Sequence, residues 1–217
     1  MPRKNILKKY QEGSYYHIYS RGIFHQDIFE TSDDYAIFLY NLKKYLQKDF
    51  KEPRFNKVTK LMDYFSPNSV ADEVGLVAYC LMPNHFHLLL HNKEIMGISH
   101  LTRRILSNYS TYFNTTRGKD GHVFESTYKA VLVRNEDQLK HLSRYIHINP
   151  LKLGAETDVL KYAYSSISDY LGETKRSWLY PSVVLSNTSD YKSFVLDYLK
   201  SPKESLEYLG TSVLLET

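Results

Sequence analysis

Leu81-Met82-Pro83-Asn84-His85-Phe86-His87-Leu88-Leu89-Leu90 puts polar chemistry into a run that otherwise reads as buried strand. Alternate side chains of a strand share a face, so His85 and His87 point one way while Phe86, Leu88 and Leu90 point the other. The apolar run Val74 to Leu81 before it reads as a second buried strand. Met82-Pro83-Asn84 is a tight connection, because proline fixes φ and asparagine tolerates turn geometry. Residues 74–91 are therefore expected to form a hairpin carrying two imidazoles side by side. Neutral imidazole is a common ligand for divalent metals, and two such ligands are an incomplete site.

Outward from this hairpin, Ser14 to Ser20 is an aromatic, β-prone run closed by Arg21-Gly22, with Tyr15, His17 and Tyr19 on one face. Thr31 or Ser32 can cap a helix carrying Tyr35, Phe38, Leu39, Leu42, Tyr45 and Leu46 at helical spacing. Residues 49–72, with Pro53 and Pro67, read as a loop with at most one short helix. A second helix is expected from Gly97 to Thr115 and a fourth strand from Tyr128 to Val133. Asn135 or Asp137 can cap a third helix, with Leu139, Leu142, Tyr145 and Ile146 on its apolar side and Pro150 halting it. This order is α+β: a ferredoxin-like antiparallel sheet with helices packed on one face, and a further helix after it. Residues 1–172 form the main domain in this reading, and 173–217 a small helical C-terminal extension around Tyr191 to Leu199 and Ser205 to Leu209.

The 217 residues suffice for one good core. No apolar run reaches signal or membrane length, so a cytoplasmic protein without membrane association is expected. The single cysteine, Cys80, excludes an intramolecular disulfide and any multi-cysteine metal site. A net charge of +4 and a basic first decade (Arg3, Lys4, Lys8, Lys9) suggest an anionic partner. With 20 tyrosines present, only position can nominate one for chemistry.

The third helix supplies that position. In Arg144-Tyr145-Ile146-His147-Ile148-Asn149-Pro150, Tyr145 and Asn149 are four apart and share a helix face. An asparagine carbonyl is an acceptable ligand for a hard divalent cation, so His85, His87 and Asn149 could form a three-ligand site, with Tyr145 able to attack a phosphate held there. His147 falls off that face and is expected to make a structural hydrogen bond. His17 is expected to be a satisfied core histidine.

Tyr16-His17-Ile18 with Ser20-Arg21-Gly22, Met82 to Leu89, Gly121-His122-Val123-Phe124 with Tyr128-Lys129, Tyr145 to Pro150 and Tyr164-Ser165-Ser166 occur in an order that resembles the IS200-like transposases of the tyrosine HUH endonuclease group, over roughly residues 14 to 172. The form Tyr145-Ile146-His147-Ile148-Asn149-Pro150 and the extended C-terminus look more like the repeat-associated tyrosine transposases, the shorter relatives commonly having glutamine at the position of Asn149. The resemblance implies an HUH palm and single-stranded DNA cleavage and rejoining, with Mg2+ or Mn2+ as cofactor. Tyr145 would form a 5'-phosphotyrosine bond and release a 3'-hydroxyl. The implied partner is single-stranded DNA next to a folded hairpin, with Arg21, Arg103, Arg104, Lys129 and Arg144 as candidates to hold its phosphates. Relatives can assemble the site from two subunits, which leaves a homodimer open.

Two other readings compete. A metal-dependent hydrolase using a His-x-His pair generally draws further His and Asp ligands from a longer barrel than this chain can build. A catalytically inactive, domesticated module binding single-stranded nucleic acid would share the same sheet and aromatics.

Overall fold

In the computed structural model, which describes residues 9–154 and 156–200, the chain forms one α+β unit. Its elements are β1 (Ser14–Arg21), α1 (Ser32–Leu46), β2 (Glu52–Phe55), β3 (Met62–Phe65), β4 (Val74–Met82), β5 (His85–Asn92), α2 (Gly97–Arg117), β6 (Lys129–Leu132), α3 (Glu136–Ile148), α4 (Ile167–Tyr170), α5 (Ser182–Leu185) and α6 (Tyr191–Lys200). The main sheet has the antiparallel order β4-β5-β1-β6, so β1 and β5 are central and the ferredoxin-like order is present.

Side-chain alternation divides the sheet into two faces. On one, Tyr16, Ile18, Leu76, Leu81, Phe86 and Leu88 pack with Phe38 and Leu42 of α1 and Leu101, Ile105 and Tyr109 of α2. On the other, Tyr19, Cys80, Leu89 and Val131 pack with Leu139, Leu142 and Ile146 of α3. The two helices of the ferredoxin-like unit thus share a face, and α3 covers the opposite one. Helical periodicity announces a stripe without saying which side of a sheet receives it.

The caps are chemically explicit. Thr31 and Asp34 form a reciprocal capping box at α1, and Asn135 accepts from the Gln138 amide at α3. Buried Asp34 also receives Arg117 Nη2 at 2.7 Å, which ties the start of α1 to the end of α2. The β4–β5 reversal is held from outside: the Pro83 carbonyl accepts from Ile28 and Phe29 amides at 2.7 and 2.9 Å, and the Asn84 carbonyl from Gly22 at 2.8 Å. A Cβ at Gly22 would lie 2.2 Å from the Gln26 carbonyl oxygen, so only glycine lets residues 22–28 fold back this closely on themselves.

Residues 49–72 differ from expectation. Instead of a loop with a short helix they contain the antiparallel β2–β3 hairpin, paired from Glu52↔Phe65 to Phe55↔Met62. Its residues are almost all exposed, so there was no hydrophobic alternation to read. Glu52 anchors it to α1 through Lys44 at 2.6 Å and Tyr40 at 2.9 Å.

The described part of the expected extension is packed onto the sheet and α3. Leu179 bridges Leu76, the Tyr180 amide donates to the Leu76 carbonyl at 2.8 Å, and Trp178 stacks on Tyr79. On α6, the Tyr191 hydroxyl lies 2.9 Å from Ser143 Oγ and 2.8 Å from His147 Nδ1, while His147 Nε2 lies 2.8 Å from Ser166 Oγ. The basic arm up to Lys8 and the helix expected at Ser205 to Leu209 lie outside the described residues. Among the described residues no helix is long and apolar enough to cross a membrane. Tyr191→Phe removes one hydroxyl shared by two buried partners. It should lower the unfolding free energy by about 1–3 kcal/mol in urea melts, more than one exposed hydrogen bond would cost.

Candidate active site

Strand register assembles the site. Across the sheet, Cys80 is opposite His87, His87 opposite Tyr19, and Tyr19 opposite Lys129. In the adjacent row, Met82 is opposite His85 and His85 opposite Arg21. All of these share the face covered by α3.

From above, α3 and its continuation bring the remaining groups. As expected, α3 stops just before Pro150, at Ile148, and the chain then tightens into a 3-10 turn over Asn149–Leu153, where proline sits at an N-terminal position and costs no hydrogen bond. Asn149 is 2 % exposed, with Oδ1 3.2 Å from His85 Nε2. The Tyr145 ring is 7 % exposed and lies edge-on to His87, centroids 5.9 Å apart. His85, His87, Asn149 and Tyr145 therefore converge within a single chain.

The protonation pattern suits a cation. Burial, with the charges of Lys152 and Arg21, drives the His85 pKa down to about 4, although Asn149 opposes the shift. Burial and neighbouring His85 and His17 hold His87 well below its usual value. Both rings are neutral at pH 7. His85 Nδ1 is 2.6 Å from Asn84 Oδ1, an acceptor that claims the single proton of the neutral ring. That leaves the Nε2 lone pair facing the Asn149 carbonyl oxygen, while buried Asn149 Nδ2 has no partner. With the amide oxygen toward Nε2, the two lone pairs converge where a cation could bridge them. Among the described residues there is no group of three or more His, Cys, Asp and Glu suited to a metal, so the candidate set is two imidazoles and one amide oxygen. Two imidazoles and one amide oxygen would leave positions open for substrate oxygens on a divalent ion.

Beside His85 opens a cavity of about 640 Å³ lined by Tyr19, Arg21, Met82, Asn84, Lys129 and Lys152, among others. Tyr145 does not line it. Lys152 does, and its Nζ lies 5.7 Å from the Tyr145 ring centroid. Asn149 and Lys152 are three apart in the 3-10 turn, which places them on one side of it.

The basic candidates separate. Arg21, paired with Glu125 at 3.6 Å, and Lys129 both line the cavity. Arg103 is exposed on α2, and Arg104 donates to the Asn68 carbonyl and lies over Tyr45; α2 packs on the opposite face of the sheet from His85. Arg144, 5 % exposed, turns into the α3–α6 contact, where it donates to the Phe194 carbonyl at 3.2 Å and lies 4.2 Å from that ring. Its guanidinium is committed to holding α6. Helix position alone could not distinguish these environments. Three residues at the site have no site role on sequence alone: Asn84 reads as a turn residue, Lys152 is not singled out, and His17 reads as a core histidine. The signals were adjacency to His85, the i+3 spacing from Asn149, and a shared face with His87 once strands are paired.

Residues 37–149, more than half of the chain, match the family model described as transposase IS200-like, and the chain belongs to that family. The matched segment contains His85, His87 and Tyr145 and ends at Asn149. Among solved structures, a REP-associated tyrosine transposase bound to a REP hairpin is similar, with 16 % identity and a TM-score of 0.52 over 79 % of this chain and 94 % of that one. At that identity the likeness is one of fold. No curated protein matches significantly.

Proposed function

We propose that this IS200-like transposase is a metal-dependent single-stranded DNA endonuclease and strand transferase with Tyr145 as nucleophile. The observation that carries the reading is the convergence of Tyr145 with His85, His87 and Asn149 on one sheet face. A divalent cation held by those three ligands, Mg2+ or Mn2+, would polarise the scissile phosphate and offset charge on its oxygens.

The chain's own groups account for the rest. The Tyr145 oxygen attacks phosphorus, the bond from phosphorus to the 3'-oxygen breaks, and the phenolic proton is lost as the 3'-hydroxyl forms. The product is a 5'-phosphotyrosine that keeps the phosphodiester energy, so another strand's 3'-hydroxyl can reverse the step. Lys152, which lines the cavity with Nζ 5.7 Å from the Tyr145 ring centroid, pairs with the incoming phosphate beside the nucleophile. Arg21 and Lys129 guide the strand along the same cavity. The substrate is single-stranded DNA beside a folded hairpin, a reading supported by the hairpin bound to the structural relative and by the family of the chain.

A labelled hairpin oligonucleotide incubated with Mn2+ should become covalently attached to the protein, and Tyr145→Phe should abolish the adduct; an adduct formed equally well by that variant sinks the assignment. Lys152→Ala should slow cleavage about 100-fold. On a substrate with an uncharged methylphosphonate at the cut, that penalty should shrink to a few-fold. Alanine at Arg21, Lys129 or Lys152 should each reduce the slope of log affinity against log salt by about 0.7, whereas Arg144→Ala should lower stability and leave the slope alone.

A further inference from the structure

His17 is fully buried and lies on β1, where it faces Leu89 across the sheet, one diagonal step from His87. Its Nε2 is 3.0 Å from His87 Nδ1. The ring planes are within 21° of each other and the centroids 5.1 Å apart, so the contact runs close to the plane of both rings, where an imidazole N–H and a lone pair meet well. Between two neutral imidazoles this contact holds one proton. Whichever ring donates, the donor's other nitrogen must be its lone-pair site.

We propose that His17 is a positioning residue that accepts the Nδ1 proton of His87 and so fixes the tautomer with the Nε2 lone pair available to a metal. The inference rests on His87 being a ligand, as in the proposed function. The same logic already operates at His85, where Asn84 Oδ1 takes Nδ1 and Nε2 is left toward Asn149. The two ligand imidazoles are thus oriented by two different outer partners, His17 from the neighbouring strand and Asn84 from the turn. Outer partners of this kind set ring orientation and ligand strength in metal sites. His17 lies outside the cavity lining and acts through His87; its ring also stands edge-on to Tyr145, centroids 6.4 Å apart, a contact that His17→Gln largely keeps in place.

Two measurements test this independently. In the metal-free protein, nitrogen-15 shifts of the histidine rings should show His87 protonated at Nδ1. A ring protonated at Nε2 overturns the proposal without any reference to catalysis. Mn2+ affinity, read from the free-ion paramagnetic resonance signal, should fall about 10–100-fold in His17→Leu and recover to within a few-fold of the parent in His17→Gln, whose carbonyl oxygen can accept in place of Nε2. Equal affinity of His17→Leu and the parent, with both folded by circular dichroism, also overturns it. If the parent and His87→Ala bind Mn2+ equally poorly, the ligand reading of His87 fails, an outcome separable from the tautomer result.

Discussion

The two-residue reversal at Pro83-Asn84 is the constraint on which the site depends. It sets the β4–β5 register, and that register decides which face receives His85 and His87. A slip of one residue would turn both imidazoles toward α1 and α2 and turn Phe86 and Leu88 toward the site. The turn is held by three backbone hydrogen bonds from the segment leaving β1, and Gly22 lets that segment fold tightly on itself. The strand that pairs with β5 therefore also secures the turn that begins it.

From this register the polar groups follow in layers. His85 and His87 stand in adjacent rows, Arg21 and Tyr19 oppose them from β1, and Lys129 extends one row from β6. The helix α3 then closes the face, burying Tyr145 and Asn149 beside the imidazoles. Its own placement is reinforced by α6, since Tyr191 and Arg144 join the two helices by buried polar contacts. The C-terminal segment is thus coupled to the position of the candidate nucleophile through packing. Burial also keeps the imidazoles neutral, which is the state a metal ligand must have.

Much of the fold was legible because the long elements bury one face. Alternation revealed β1 and β5, and a 3.6-residue stripe revealed α1, α2 and α3. The β2–β3 hairpin was not legible, because it is exposed on both faces and carries no alternation. Arg144 was misleading for a related reason. A long basic side chain reads as solvated until a later helix, here α6, is known to cover it.

The sequence by itself determined the donor types and their local spacing: two imidazoles two residues apart on a strand, and a phenol and an amide four apart on a helix. Those facts depend only on backbone periods of 2.0 and 3.6 residues. The tertiary structure decided that α3 lies on the histidine face and that Arg103 and Arg104 lie on the other. It also brought His17 against His87, and Lys152 to the cavity beside Tyr145. These are relations between segments far apart in the chain, set by strand register and by which apolar stripe fills which face, and no local period encodes them.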